Sequence, residues 1–198
     1  MTKKVNDIGL FYLPLVVLPG ESTSLHVFEA RYKALIKDSI DEDKPFGILL
    51  PLKMNREYGS LVRVNKITKS YQDGRFDLEI IGEGVFRLLR SIDNDEFLYD
   101  NAEIELVKQE SSKINDDLLN AYFEYSVKHL KHDPSYSFNK NMSIYEIANK
   151  CELTMMEKYK LISTPQAKFQ QNILLNHLNI VNALFKQEEA LKQKFYLN

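Results

Sequence analysis

The sequence predicts an α+β protein: an N-terminal barrel of about six to seven short strands with one helix inserted, followed by a C-terminal helical bundle. Three observations carry this expectation. Apolar residues alternate or form short blocks up to about residue 110 and recur at helical spacing beyond it. An Asp73-Gly74 pair separates two alternating segments, as a hairpin requires. Two capping boxes, Ser143–Glu146 and Thr154–Glu157, punctuate the second half. The boundary divides the chain into a barrel subdomain, 1–110, and a helical subdomain, 111–198.

In chain order, Leu10 to Leu13 and Leu15 to Leu18 read as a strand pair interrupted by Pro14 and closed by Pro19-Gly20. The inserted helix is expected from about Phe28 to Ile40. It has Phe28, Tyr32, Leu35 and Ile36 on one face, and Glu29, Lys33 and Lys37 along the other. Phe46 to Leu50 is continuously apolar, as a strand buried on both faces would be. Leu61 to Tyr71 alternates, and so does Phe76 to Ile80, with Asp73-Gly74 suited to a tight primed turn between them. Gly82 and Gly84 bracket a bend or bulge before a strand from Val85 to Ile92. A final strand turns Ala102, Ile104 and Leu106 inward against Glu103 and Glu105.

Beyond about Asn115, four helices are expected, two of them short. The first carries Leu118, Leu119, Tyr122, Phe123, Val127 and Leu130 and ends near His132-Asp133-Pro134. The capping boxes start the next two. Thr164-Pro165 is placed at the N-cap and first turn of the last and longest. On that helix Phe169, Ile173, Leu174, His177, Leu178, Val181, Leu184, Phe185 and Leu191 form one wide apolar face.

Composition excludes several function classes. The chain has 198 residues, 44% of them hydrophobic and 27% charged, enough for a full core without a disulfide or metal staple. Its net charge of −2 gives no bulk attraction to nucleic acid or anionic membrane. Residues 1–107 hold 14 Lys+Arg against 18 Asp+Glu, and the remainder 12 against 10, with every arginine before residue 91. The C-terminal half is therefore basic through lysine alone, which lacks the bidentate fork used in reading phosphates and bases. Lys3 and Lys4 before the apolar run from Leu10 to Leu18 faintly resemble a signal peptide. Asp7, Pro14 and the missing small-residue cleavage site argue for a retained segment and a cytoplasmic protein.

Catalytic motifs are absent: no phosphate-cradling glycine loop, no H-E-x-x-H and no G-x-S-x-G. His129 and His132, with Asp133, have a spacing that can hold a metal, but imidazoles near a helix C-terminus are explained by the helix dipole and solvent. Cys151 could be paired with His177 as nucleophile and base. It falls in register with Ile144, Ile147 and Ala148, which makes it a buried structural thiol. His26 reads as a core or cap histidine, and Asp41-Glu42-Asp43 as a solvated helix end. No catalytic, metal or cofactor site is expected.

Several blocks then converge on a family. They are Leu13-Pro14-Leu15-Val16-Val17-Leu18-Pro19-Gly20, Leu25-His26-Val27-Phe28-Glu29-Ala30-Arg31-Tyr32, Phe46 to Leu50, Tyr58-Gly59-Ser60-Leu61-Val62, Asp73-Gly74-Arg75 and Ile81-Gly82-Glu83-Gly84-Val85-Phe86-Arg87-Leu88. Together they resemble the N-terminal substrate-binding domain of Lon proteases, a PUA-like fold. The resemblance is continuous over residues 8–107, while residues 115–190 are similar to the family's helical bundle in layout only. Ala30 stands where the family often has proline, and Val85 where arginine is common.

The ATPase and serine–lysine protease modules of full-length Lon proteases lie beyond this region, and the chain ends at Asn198. The resemblance therefore implies a non-catalytic module that binds unfolded or specific proteins and peptides, an adaptor in protein turnover working with a protease or chaperone. An RNA-binding PUA-like module is the alternative, and the acidic N-terminal half counts against it. Among the motif residues, Pro14, Phe28, Glu29, Arg31, Tyr32, Gly59 and Gly82 are expected to be structural. Phe28 and Tyr32 would pack together on the barrel, Glu29 would favour the helix N-terminus, and Arg31 would pair across to a strand. Peptide capture needs exposed apolar surface, and the candidates are Tyr71 and Phe76 beside the hairpin tip and Phe97 and Tyr99 in the later turn.

Overall fold

Among the residues described, 3–51, 54, 57–92, 97–108, 110, 112–131 and 142–196, a computed structural model of the chain shows six strands and five helices. The strands are β1 (Lys3–Tyr12), β2 (Ser22–Val27), β3 (Phe46–Leu49), β4 (Tyr58–Ser70), β5 (Phe76–Ile92) and β6 (Asn101–Leu106). Helix α1 (Ala30–Asp41) lies between β2 and β3, and α2 (Asp116–His129), α3 (Ile144–Ala148), α4 (Met155–Ile162) and α5 (Ala167–Tyr196) follow the sheet. The strand order is β2-β5-β4-β3-β1-β6, and a further β5–β6 pairing closes β5, β4, β3, β1 and β6 into a barrel. Among the described residues, β1–β3 is the one parallel pairing. Strand β2 stays outside this ring, on the half of β5 that β6 does not reach.

The core follows from strand alternation. Leu10, Leu49, Phe86, Ala102 and Ile104 gather on one side of the strands. Phe11, Phe46, Ile48, Leu78 and Ile80 pack with Tyr32, Leu35 and Ile36 of α1 on the other. Two glycines are required by close approach. A side-chain carbon at Gly59 would lie 2.3 Å from Phe86 Cζ, and one at Gly82 would lie 2.1 Å from the Leu18 carbonyl oxygen.

Several elements differ from the sequence expectation. The run Leu15 to Leu18 is not a strand, although Val16, Val17 and Leu18 are buried. Side chains replace a ladder there: Val17 N–H donates to Ser60 Oγ (2.9 Å) and Leu18 N–H to Glu21 Oε2 (2.9 Å). Strand β2 has no counterpart in the expected elements. Phe76 to Ile92 forms one continuous strand, with the bend reduced to a register shift opposite Gly82 and Gly84. The hairpin turn is not primed. Gly74 alone has positive φ (77°), its N–H bonds to the Tyr71 carbonyl (3.0 Å), and Tyr71 N–H bonds to Arg75 O (2.9 Å). A three-residue loop, Gln72 to Gly74, that ends on a glycine in the left-handed region is the longer-loop solution.

Contacts group Met1–Lys108 with Thr154–Pro165, and Gln109–Leu153 with Gln166–Asn198. Helix α4, C-terminal in sequence, thus belongs with the barrel. Lys158 Nζ forms an ion pair with Glu21, whose carboxylate also caps Leu18, and Tyr159, Leu161 and Ile162 are buried. Its Thr154–Glu157 capping box is formed in both directions, as is the Ser143–Glu146 box of α3.

In the other group, α2 packs along α5 through Leu118, Tyr122, Leu174 and Leu178, and Asn182 Nδ2 donates to the Ala121 carbonyl (3.0 Å). Asn115 caps α2 by accepting from Leu118 N–H (2.8 Å). Helix α5 begins at Ala167 instead of Thr164-Pro165, with the Gln166 carbonyl accepting its first bonds from Phe169 and Gln170. The wide apolar face expected on it is split. Leu174 and Leu178 are buried, whereas Phe169, Leu184 and Leu191 are exposed, because α2 covers only one side of the helix.

Candidate functional site

The outer half of the β4–β5 hairpin projects past the barrel, and with β2 it builds an aromatic cluster. Cross-strand register places His26 opposite Asp77, and Asp77 opposite Lys69, so all three lie on one face. His26 Nδ1 and Asp77 Oδ1 are 2.5 Å apart, and the Tyr71 hydroxyl donates to Asp77 Oδ2 (2.8 Å). One carboxylate thereby orients two rings. The hydrogen bond from His26, then that from Tyr71, holds the Asp77 carboxyl below the usual carboxylate range. Phe28 stacks on His26 with centroids 6.0 Å apart, and Tyr71 meets His26 edge-on at 5.8 Å. Lys69 Nζ sits 4.6 Å from the Tyr71 ring centre, and the Arg75 guanidinium 5.2 Å from it. Phe28 is 59% exposed, a large apolar ring held in place and open to solvent.

This arrangement corrects three expectations. Phe28 does not pack with Tyr32 on the barrel: α1 starts at Ala30, so the i,i+4 relation of a helix does not hold between them, and only Tyr32 is buried. Arg31 does not pair with a strand. Its Nε lies 3.0 Å from Glu29 Oε2, and its guanidinium lies 4.4 Å from the Tyr32 ring centre. Glu29 and Arg31 can meet because Glu29 is the extended N-cap residue (φ −71°, ψ 137°), outside the helical period; its side chain makes no capping bond. His26 is an exposed cross-strand partner of Asp77, neither core nor cap.

Of the four candidate binding residues, Tyr71 belongs to this cluster. Phe76 lies on the opposite face of β5, half-buried against the core. Phe97 and Tyr99 are in contact with each other, ring centres 5.2 Å apart, at a separate cavity beside α1. Tyr99 is buried there and donates to Asp38 Oδ2 (2.8 Å); burial first, then the Asp38 carboxylate, raises its hydroxyl pKa well above the tyrosine norm. Pro14 is exposed between the half-buried Leu13 and Leu15.

Cys151 is buried, its thiol donates to the Ile147 carbonyl (3.2 Å), and burial pushes its pKa up to about 12. A thiol in that state is a poor nucleophile at neutral pH. His129 is sandwiched by Tyr125 and Phe185, with ring centres at 4.6 and 4.9 Å, while His132 and Asp133 lie outside the described residues. Among the described residues no group of three or more His, Cys, Asp or Glu is placed to hold a metal ion, and no helix is long and apolar enough to cross a membrane.

The fold places the chain among known proteins. It is similar to the crystal structure of a Lon N-terminal domain protein from Xanthomonas campestris, with TM-score 0.69 and 22% identity over 87% of this chain and 98% of that one. It is also similar to the N-terminal domain of the Mycobacterium avium complex Lon protease, with TM-score 0.63 and 13% identity at the same coverage. A search of curated protein sequences finds no match. Residues 8–184 match the family model described as the ATP-dependent protease La (LON) substrate-binding domain. The chain belongs to the Lon substrate-binding domain family.

Proposed function

We propose that this protein is a non-catalytic module that captures unfolded or specific proteins and peptides, an adaptor in cytoplasmic protein turnover that serves a protease or chaperone. The family supports substrate binding. The observation that carries the reading is the Phe28–His26–Tyr71 cluster, an exposed aromatic surface already ordered by Asp77. Aromatic anchors that need no reorganisation on binding are the side chains that dominate recognition surfaces. Lys69 and Arg75 at its margin favour clients with acidic residues beside an apolar one.

The test is the binding of a reduced, carboxymethylated model protein by fluorescence anisotropy. Phe28→Ala is expected to weaken binding by about tenfold or more. Equal binding by the variant and the wild type would remove this surface from the mechanism. A salt-sensitive shift with RNA, and none with unfolded protein, would turn the reading to the RNA-binding alternative.

A further inference from the structure

Strand β2 is an edge of the sheet. Among the described residues it has β5 on one side and no strand on the other. Register shows which of its backbone groups face outward. Ser22 to Val27 pair with Ile81 to Phe76 without a shift. At the head of this ladder, one position before the Ser22–Ile81 pair, Gly82 N–H donates to the Glu21 carbonyl (2.9 Å). Ladder bonds fall on alternate residues, so Thr23, Leu25 and Val27 bond to β5. The N–H and C=O groups of Ser22, Ser24 and His26 therefore point away from β5, three donors and three acceptors in one line. All three residues are exposed.

A second observation sets this edge apart from its neighbour. The outer half of β4, which β3 does not reach, is protected as open edges usually are. It carries Lys66 and Lys69, and its ladder is broken by register shifts between Val64 and Lys66 and between Ile67 and Lys69. Strand β2 has no lysine, no proline and no bulge. One open edge is blocked, and the other is left as a regular template.

The open template also runs into the aromatic cluster. Ser22, Ser24 and His26 share a face, and the Phe28 ring stacks on His26 at the end of that row. A segment laid along β2 finds hydrogen-bond partners for its backbone and an exposed ring beside its side chains. A helix has already used its backbone groups internally, so an extended chain is the form that answers this edge. A second copy would bring its own β2, whose residues on this face are Ser22, Ser24 and His26, to meet the ring. An unfolded client instead supplies apolar side chains at alternate positions. We propose that an extended segment of the client adds to the sheet as a strand beside β2, bonding to the backbone of Ser22, Ser24 and His26 with an apolar side chain against Phe28. The inference rests on the peptide-binding reading above and narrows it to clients held in extended form, recognised through the main chain more than through sequence.

The test is residue-resolved amide hydrogen exchange of the ¹⁵N-labelled full chain, alone and with reduced, carboxymethylated lactalbumin as the unfolded client. Alone, Ser24 and His26 are expected to exchange faster than Thr23 and Leu25, whose N–H groups lie in the ladder. With saturating client, exchange at Ser24 and His26 is expected to slow by about tenfold or more. Ser24→Pro removes a donor from the open side and none from the β5 ladder, and should weaken client binding by about fivefold or more. The exchange measurement uses the wild-type chain, so it decides the matter even where the proline variant does not fold. Client binding without protection at Ser24 and His26 would overturn strand addition and leave capture at Phe28 standing. Protection that appears on raising the protein concentration without client would assign the edge to a second copy and overturn the proposal. No client binding at all would remove the reading on which the proposal rests, and the proposal with it.

Discussion

The β4–β5 pair is two structures in one. In its inner half, Gly59, Ser60 and Leu61 face Phe86, Val85 and Gly84, while β3 and β6 flank the pair on either side. In its outer half, Asn65 to Ser70 are all exposed and pair with β5 alone. The same two strands thus supply the barrel wall at one end and an exposed face at the other. The difference shows that a closed ladder allows tight internal packing, whereas a projecting hairpin leaves side chains free to meet a partner.

Substitutions can break or sharpen that contrast. The largest effect is expected in the wall: Phe86→Ala should cost about 3–5 kcal/mol in urea unfolding, because the ring fills the space above Gly59. A smaller loss would mean that the wall repacks around the missing ring. Gly82→Ala, at the hinge between the halves, should cost about 1–3 kcal/mol, since a backbone carbonyl and not a flexible side chain blocks the new methyl.

In the outer half the effects become conditional. The folded-state pKa of Asp77 is depressed, so its contribution to stability is full above about pH 4, the unfolded carboxyl value, and is lost as pH falls through the lower folded value. Thermal midpoints of wild type and Asp77→Asn should therefore differ at pH 6 and converge in acid; parallel curves would remove the His26–Asp77 pair from the account. Phe28→Ser should change stability by less than about 0.5 kcal/mol while reducing client binding. A large loss of stability would place Phe28 back in the core.

Elements with local signals were legible in the sequence. Both capping boxes, the change of period near residue 110 and the Asp73-Gly74 hairpin follow from residues within a few positions of one another. Strand β2 was not, because Ser22, Thr23 and Ser24 carry little apolar pattern and the strand is stabilised by pairing with a partner 49 to 59 residues away. The candidate site shows the same limit. Tyr71 was visible as an aromatic beside a turn, but His26 and Asp77 meet only through the register of β2 on β5. Phe28 and Arg31 were misplaced by a shift of two residues in one helix start, which carried the i,i+4 arithmetic onto extended backbone.

The grouping of α4 with the barrel makes the chain cross between its two contact groups three times, after Lys108, Leu153 and Pro165. Docking α4 closes a loop of about 45 residues, which as free coil costs on the order of 3 kcal/mol, and folding of α2 and α3 within it shortens the span to be closed. Neither group is a contiguous stretch of sequence. A cut after residue 108 would strip the Lys158–Glu21 clip from the barrel along with the helices. For transplantation into another protein the two groups are one cassette, and recombination at the period change would yield two incomplete pieces.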